Sequence, residues 1–317
     1  MQFLYNFKLL FISVLMVLIG VLLGVAFLTL MERKLLSYMQ NRKGPNKVGM
    51  MGIFQPFSDA VKLFMKENFY LFKFNFMIYY LSPMFLMMLM LFLWITVPMD
   101  ENILMMDLGM LFMFSILSMS VYGLMFSGWC SNSMYSLLGS LRSIAQTIFY
   151  EVSMIILMLN MVLMIVSYNF IELVKFQKFM SFFYLFNFLL MMFFFIFLAE
   201  LNRTPFDLAE GESELVSGFN VEYMSGLFAL IFLAEYGNIM FMMMLFLMFF
   251  FGSMFFNYFY MLIYIFMLIM VIWVRATFPR LRYDKLMILA WKVLLPNSLN
   301  LFIYYCGLKI FLEEFLI

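Results

Sequence analysis

The chain has 317 residues, of which 67% are hydrophobic and only 12% are charged, with 19 Lys+Arg against 18 Asp+Glu. Soluble domains are about 45–50% apolar and about 25% charged, so this composition excludes a water-soluble globule, a disordered chain and a nucleic-acid-binding protein. The sequence instead predicts an integral membrane protein.

Apolar stretches long enough to cross a bilayer recur along the whole chain. A helix that crosses about 30 Å of hydrocarbon needs about 20 apolar residues. The sequence predicts one integral-membrane domain, 1–317, with eight such helices, at residues 3–31, 77–97, 103–126, 142–167, 179–199, 219–246, 251–273 and 287–311. The Phe-rich break at 247–252 is the weakest, so seven or nine helices stay open on hydropathy alone. The predicted fold class is an all-α polytopic membrane bundle.

The basic residues sort unevenly between the two sides of this bundle. With eight helices, fourteen Lys and Arg fall on one side and four on the other, and the richer side contains the loops 32–74, 200–218 and 274–286. Positively charged loops stay on the matrix or cytoplasmic side of a membrane. The pattern therefore predicts these three loops on that side and both termini on the opposite side.

A segment of the first long loop has the pattern of an amphipathic helix. Between 55 and 67, one helical face carries apolar residues and another carries charged ones: Phe57, Val61, Phe64 and Met65 against Asp59, Lys62 and Lys66. A helix of this kind lies in the plane of the membrane interface. The alternative function of this segment is a simple surface anchor.

The loop after the fifth predicted helix is acidic on the side that is otherwise basic. Between 200 and 222 it has one base, Arg203, and six acids: Glu200, Asp207, Glu210, Glu212, Glu214 and Glu222. The acids alternate with apolar residues, which indicates partial burial, whereas the alternative is a solvated loop. The basic turn at 275–284 either anchors the topology or, if it lies next to this loop, offsets its charge.

Two further acids fall inside predicted helices. Glu151 follows Arg142 by nine residues, or about 14 Å at about 1.5 Å per residue, and Glu235 follows Glu222 by thirteen, or about 20 Å. A charged carboxylate at that depth costs at least about 2.5–3.5 kcal/mol, so it marks a proton or ion path more often than a structural hydrogen bond. Both interpretations are kept.

The residues that the chain lacks exclude several kinds of chemistry. There is no His, and the two Cys, Cys130 and Cys306, are far apart. Haem ligation by His, His-type zinc sites and Ser-His-Asp triads need imidazole, and an iron–sulfur cluster needs about four thiolates. No GxGxxG or GxxxxGK[ST] motif occurs, so the sequence predicts no evident cradle for a nucleotide and no metal site.

Three runs of sequence resemble the chain 1 family of mitochondrial NADH–ubiquinone oxidoreductases. The first is ERKLLSYMQNRKGPN from Glu32, followed by Gln55-Pro56 to Asp59, Lys62 and Lys66-Glu67. The second is AELNRTPFDLAEGESELVSGFNVEY from Ala199, and the third is WVRATFPRLRYDKLM from Trp273. The runs occur in order and span the chain, so the resemblance covers essentially all of it.

The resemblance implies a multi-pass subunit of the proton-translocating NADH:ubiquinone reductase, complex I, in the mitochondrial inner membrane, with both termini on the intermembrane-space side. It implies that this chain binds no redox cofactor and lines a tunnel for its substrate ubiquinone, while FMN, iron–sulfur clusters and the NADH site belong to partner subunits. The implied partners are quinone-site subunits of the matrix arm, neighbouring membrane-arm subunits and membrane lipids, but no nucleic acid.

On the matching positions, the resemblance implies two groups of site residues. The predicted quinone-tunnel residues are Glu32, Arg33, Asp59, Arg203, Phe206, Glu210, Glu212, Glu214 and Arg280. The predicted proton-transfer or coupling residues are Glu151, Glu200, Asp207, Glu222 and Glu235. The quinone-site acids could themselves be the coupling element. The alternatives from other classes are a proton-coupled secondary transporter, which would be expected to have an inverted repeat, and a structural scaffold.

Overall fold

The computed structural model describes residues 2–68, 74–98, 106–178, 180–209, 211, 215–252 and 258–316. These residues form helices and no strand: α1 (Gln2–Met39), α2 (Gln55–Met65), α3 (Phe76–Ile95), α4 (Gly109–Cys130), α5 (Met134–Ile165), α6 (Phe170–Phe176), α7 (Phe182–Leu185), α8 (Asn187–Glu200), α9 (Ser225–Phe251), α10 (Tyr258–Thr277), α11 (Tyr283–Ile288) and α12 (Leu295–Leu316). A π-helical stretch, Leu289–Leu294, joins α11 to α12.

Seven helices in the described part of the chain are long and apolar enough to cross a membrane. They are α1, α3, α4, α5, α9, α10 and the continuous segment of α11 and α12. The prediction of an all-α polytopic membrane bundle is confirmed. The surface helix predicted in the first long loop is also present, as α2.

The fifth predicted span, 179–199, consists of two short helices in place of one long helix. α7 ends at Leu185, and α8 begins at Asn187 and has 14 residues. At about 1.5 Å per residue α8 is about 21 Å long, which is less than the roughly 30 Å of hydrocarbon. The polar loop that follows α8 is itself buried, so α8 stops inside the bundle. Irregular backbone is tolerated at such depth where protein surrounds it.

The depth predicted for Glu235 needs a correction, because Glu222 is not helical. α9 begins at Ser225, so the helical rise applies only to the ten residue steps from Ser225 to Glu235. Glu235 therefore lies about 15 Å along α9 from its start, instead of about 20 Å beyond Glu222. Glu151 does share a helix with Arg142, and it lies near the middle of the 32-residue α5.

α9 is the central helix of the bundle. It packs against α1, α2, α3, α6, α7, α8 and α10, and every residue from Ile239 to Phe250 is buried. The helix continues through the weak break predicted at 247–252 and ends where Gly252 adopts a left-handed φ of 61°. A side chain there would also meet Gln177, since a Cβ on Gly252 would lie 2.5 Å from the Gln177 Cβ.

The three polar segments after α1, α8 and α10 meet on one side of the bundle. α2 is held against α1 by an ion pair between Arg33 and Asp59 and by an edge-to-face contact of Phe27 with Phe57, whose ring centroids are 6.0 Å apart. Thr204 in the loop after α8 donates a hydrogen bond to the Arg275 carbonyl, at 3.4 Å. The packing thus brings the predicted acidic and basic loops together.

Candidate functional site

One face of α5 supports the loop that follows α8. The Gln146 side chain donates hydrogen bonds to the carbonyl oxygens of Ala199 and Phe206, each at 2.7 Å. Two turns earlier on the same face, Gly139 lies against the backbone of Gly218. Side chains at spacings of three, four and seven residues share a helix face, which is why α5 can hold both ends of the loop.

The described part of the loop is largely buried, as its alternation of acids with apolar residues predicts. Arg203 is 9% exposed and Asp207 is 8% exposed, while Phe206 and Leu208 are almost completely enclosed. The Phe206 ring packs at 6.1 Å from that of Tyr150 on α5. A polar loop can be enclosed in this way only where its charges find partners.

Glu32 is the centre of the first charged cluster. Its carboxylate forms an ion pair with Arg275 and lies 3.8 Å from the Arg203 guanidinium. The Arg203 guanidinium also stacks over the ring of Tyr236, at 4.6 Å from the centroid. One carboxylate on α1 therefore contacts α10 and the loop after α8. The cation–π contact with Tyr236 on α9 offsets part of the cost of burying Arg203.

Asp207 and Arg280 form the second charged contact. The guanidinium Nη2 of Arg280 donates to Asp207 Oδ2 at 2.7 Å, and the Leu281 N–H donates to the Pro205 carbonyl at 2.9 Å. The basic turn after α10 thus lies next to the acidic loop and offsets part of its charge. Both residues of this pair are largely buried, so the contact also fixes the loop.

A cavity of about 70 Å³ lies among α3, α4, α5, α9 and the loop after α8. Its polar lining consists of Ser120, Thr147, Glu200, Asn202, Arg203, Glu235 and Asn238. A water molecule needs about 10–15 Å³ of such volume and two to four polar partners, so the cavity can hold several.

Buried polar atoms around this cavity have capacity for further hydrogen bonds. Glu200 Oε2, Asn202 Oδ1 and Asn238 Oδ1 are enclosed, and none has a hydrogen-bond partner among the described residues. Glu151 lies close enough to Glu200 for their charges to interact, and its Oε1 is likewise enclosed without a partner in that part of the chain. Enclosed oxygen atoms of this kind need a hydrogen bond from a water molecule, or a proton bound to one of two neighbouring carboxylates.

Glu222 and Tyr223 lie at the far end of the loop. The rings of Tyr79 and Tyr223 stack with centroids 4.5 Å apart, and the Tyr79 hydroxyl donates to the Glu222 carbonyl at 2.8 Å. The Tyr223 hydroxyl donates to the Ser127 carbonyl at 3.2 Å and lies 2.9 Å from Ser82 Oγ. Burial raises the pKa of Tyr223, so this hydroxyl stays protonated and continues to donate.

The structure groups the predicted site residues differently from the two sets in the sequence analysis. Glu32 and Arg203 lie together, but Arg280 of the quinone set pairs with Asp207 of the proton set, and Arg203 shares the cavity with Glu200. Arg33 and Asp59 form a separate, more exposed pair. Glu210, Glu212 and Glu214 lie outside the described residues.

Sequence reasoning missed several polar residues of this region. Arg275 was assigned only to a basic turn, and Gln146, Tyr236, Asn238 and Tyr79 were not singled out. A signal existed for three of them, because Gln146, Asn238 and Arg275 are polar residues within or at the ends of long apolar helices. No sequence pattern distinguishes Tyr79 or Tyr236 from the other aromatic residues of the chain.

Comparison with known proteins covers nearly the whole chain. A family model described as NADH dehydrogenase matches residues 12–306. NADH-ubiquinone oxidoreductase chain 1 of Aedes aegypti is 52% identical over 309 residues, which are 96% of this chain and 97% of the relative. The protein of the same name from Locusta migratoria is 50% identical over 307 residues (96% and 97%), and that from Balaenoptera physalus is 46% identical over 306 residues (94% and 96%).

Proposed function

The chain belongs to the NADH dehydrogenase family, and from that premise we propose that it is a core membrane subunit of NADH:ubiquinone oxidoreductase that lines the ubiquinone tunnel and couples quinone reduction to proton translocation. Partner subunits supply the redox cofactors FMN and iron–sulfur clusters and the NADH site. The residues of this chain bind and orient the quinone, exclude lipid and water, and hold or move protons.

The observation that carries this proposal is the cavity that contains Glu200 and Glu235 inside an otherwise apolar bundle. A carboxylate in the middle of a membrane costs at least about 2.5–3.5 kcal/mol, and an apolar residue would avoid that cost. With no His in the chain, carboxylates and water are the groups that can pass a proton through this region. We assign Glu151, Glu200 and Glu235 to that transfer, together with Asp207 within the loop and Glu222 at its far end.

The quinone side of the proposal is supported by the first charged cluster and α2. Val61 and Phe64 on α2 are 55% and 58% exposed, so an apolar surface lies beside the ion pairs of Glu32 and of Arg33 with Asp59. A quinone has an apolar tail and a polar head. A path for it therefore needs an apolar surface and a polar surface next to each other. We assign Glu32, Arg33, Asp59, Arg203, Phe206 and Arg280 to this path, with Glu210, Glu212 and Glu214 from the sequence pattern.

The location follows from the same proposal. We place the chain in the mitochondrial inner membrane, in contact with matrix-arm and membrane-arm subunits and with lipid, with both termini on the intermembrane-space side. The proton-coupled transporter is the weaker alternative, because the relatives are named as oxidoreductase chains along their full length.

The test replaces single carboxylates by the amide of equal size in an editable homologue with the matching residue. Glu200→Gln and Glu235→Gln remove a titrating proton but keep hydrogen bonding, so proton translocation and quinone reduction should fall together by at least ~10-fold. Reduction of ferricyanide by NADH, which does not need the quinone site, should stay normal. Both quantities are measured in the same vesicles.

Glu172 supplies the matched control. It is an exposed residue in the first turn of α6, remote in sequence from the acidic loop. Glu172→Gln should leave both activities unchanged. Normal proton translocation and turnover in Glu200→Gln, Glu235→Gln and Glu151→Gln would contradict the proton-transfer assignment.

A further inference from the structure

Gln146 joins two points of the acidic loop through one side chain. It is completely buried on α5, and its Nε2 donates to the carbonyls of Ala199 and Phe206, each at 2.7 Å. Both amide hydrogens are therefore used. Its Oε1 has no hydrogen-bond partner within the described residues, and rotating the amide by 180° would place that oxygen against two carbonyl oxygens. The bonds thus fix the orientation of the amide.

The two carbonyls stand directly before two of the acids. Ala199 precedes Glu200, which lines the cavity, and Phe206 precedes Asp207, which pairs with Arg280. Arg203 lies between them and reaches Glu32. A single amide group therefore sets the distance between the carbonyls of Ala199 and Phe206. The residues that follow them, Glu200 and Asp207, belong to the cavity and to the second charged contact.

Few other side chains could make this pair of bonds. A carboxylate of the same length has no hydrogen to donate, and Met has the length but no donor. Asn retains both hydrogens but is one methylene shorter, so its amide cannot reach both carbonyls from the same backbone position. Lys would bring an unpaired charge into a fully buried position.

We infer that Gln146 is a positioning residue that holds Glu200 and Asp207 at the separation that proton transfer and quinone reduction need. This inference rests on the proposed function, since it assigns no reaction of its own to Gln146. The amide donates to the backbone carbonyls that precede the two acids, so it acts through the backbone of the loop. Misplacement of a reacting group by about 1 Å can lower a rate by as much as ~100-fold.

Gln177 provides a matched control at another part of the bundle. It is also buried, and its Nε2 donates to two backbone carbonyls as well, those of Met248 at 3.1 Å and Phe249 at 2.9 Å. These carbonyls belong to the end of α9, and neither adjoins an acidic residue. Gln146→Met and Gln177→Met therefore each remove two donated bonds of the same kind. Gln177→Met also removes the longer bond that its Oε1 accepts from the Phe182 N–H, at 3.5 Å, so this control loses at least as many bonds as the Gln146 variant.

The experiment compares the two variants in assembled complex I of an editable homologue. Gln146→Met should lower kcat for quinone reduction by at least ~10-fold and shift its pH profile, because the surroundings of the buried Glu200 carboxyl change. Ferricyanide reduction should be unchanged. Gln177→Met should keep the wild-type pH profile and nearly the wild-type kcat per assembled complex. Equal effects of the two variants on kcat and pH profile would overturn the inference.

A second pair of variants keeps the test decisive if Gln146→Met does not assemble. Gln146→Asn and Gln177→Asn retain the donors, and only the first should change the pH profile; an unchanged profile in Gln146→Asn would overturn the inference. The proposed function fails separately, if Glu200→Gln has no effect on quinone reduction or proton translocation. An impaired Glu200→Gln together with a normal Gln146→Asn would leave the proposed function standing and reject only the positioning role.

Discussion

At the scale of single residues, the charged groups differ in how far solvent can replace their partners. The side chain of Glu32 is 8% exposed and faces Arg203 and Arg275, whose side chains are 11% and 35% exposed. The pair of Arg33 with Asp59 is 51% and 33% exposed. Removing one partner of a buried pair leaves an uncompensated charge, whereas solvent screens an exposed pair.

Glu32→Gln should therefore destabilise the subunit far more than Asp59→Asn. We expect about 3–5 kcal/mol for Glu32→Gln, because the negative charge between two guanidiniums is lost, and at most about 1 kcal/mol for Asp59→Asn. The midpoint temperature of the assembled complex measures the difference, and native gels report how much complex assembles. Equal midpoints for the two variants would show that Glu32 does not stabilise the arginines.

At the scale of elements, α5 is a platform for the acidic loop, and its small residues allow the close contact. An ideal Cβ on Gly139 would lie 2.9 Å from the Gly218 Cα and 3.0 Å from the Phe219 nitrogen. All of these neighbours are backbone atoms, which cannot turn aside as a side chain can. Around Gly20 on α1, by contrast, no atom in the described part of the chain lies within 4 Å of an added Cβ.

Gly139→Ala should consequently separate α5 from the loop, while Gly20→Ala should not disturb any contact. Overpacking of this kind costs about 1–3 kcal/mol, whereas Ala is favoured over Gly in a helix by about 1 kcal/mol. The midpoint temperature of the complex should fall for Gly139→Ala and stay level or rise for Gly20→Ala. A Gly139→Ala complex as stable as wild type would show that the loop moves freely on α5.

The elements also show where hydropathy is informative and where it is not. The long helices α3, α4, α9 and α10 follow from predominantly apolar sequence of sufficient length. The break at Phe186 could not be predicted, because Asn187 is the only polar residue beside it and the sequence is otherwise apolar on both sides. The end of α8 inside the bundle depends on tertiary contacts: the loop after it forms hydrogen bonds and ion pairs with other helices, which local sequence does not reveal.

At the scale of the whole molecule, three polar segments far apart in sequence form one site. The sequence identified the buried acids and the basic turn as unusual, since charge inside apolar surroundings is costly. It did not identify their partners, because Glu32 and Arg275 are 243 residues apart and meet only through the packing of α1 against α10. Motif resemblance located the site, whereas the ion-pair geometry and the role of Gln146 required the fold.

The assembly of these segments on one side predicts a definite topology. If loops 32–74, 200–218 and 274–286 face the matrix, then the opposite end of the bundle, with α6, faces the intermembrane space. Lys175 on α6 and Lys47 in the first loop are both exposed and suit thiol labelling. Cys130 is buried, and Cys306→Ser removes the other native thiol from the background.

In sealed mitoplasts, an impermeant maleimide should label Lys175→Cys but not Lys47→Cys. After the membrane is opened with mild detergent, labelling of Lys175→Cys should stay the same, because that position was already accessible. A control at Lys178, which is exposed two residues after the end of α6, should behave like Lys175. Labelling of Lys47→Cys in intact mitoplasts would place the first loop in the intermembrane space. Because ion pairs and hydrogen bonds join all three polar segments, the proposed orientation of the whole site would then be inverted.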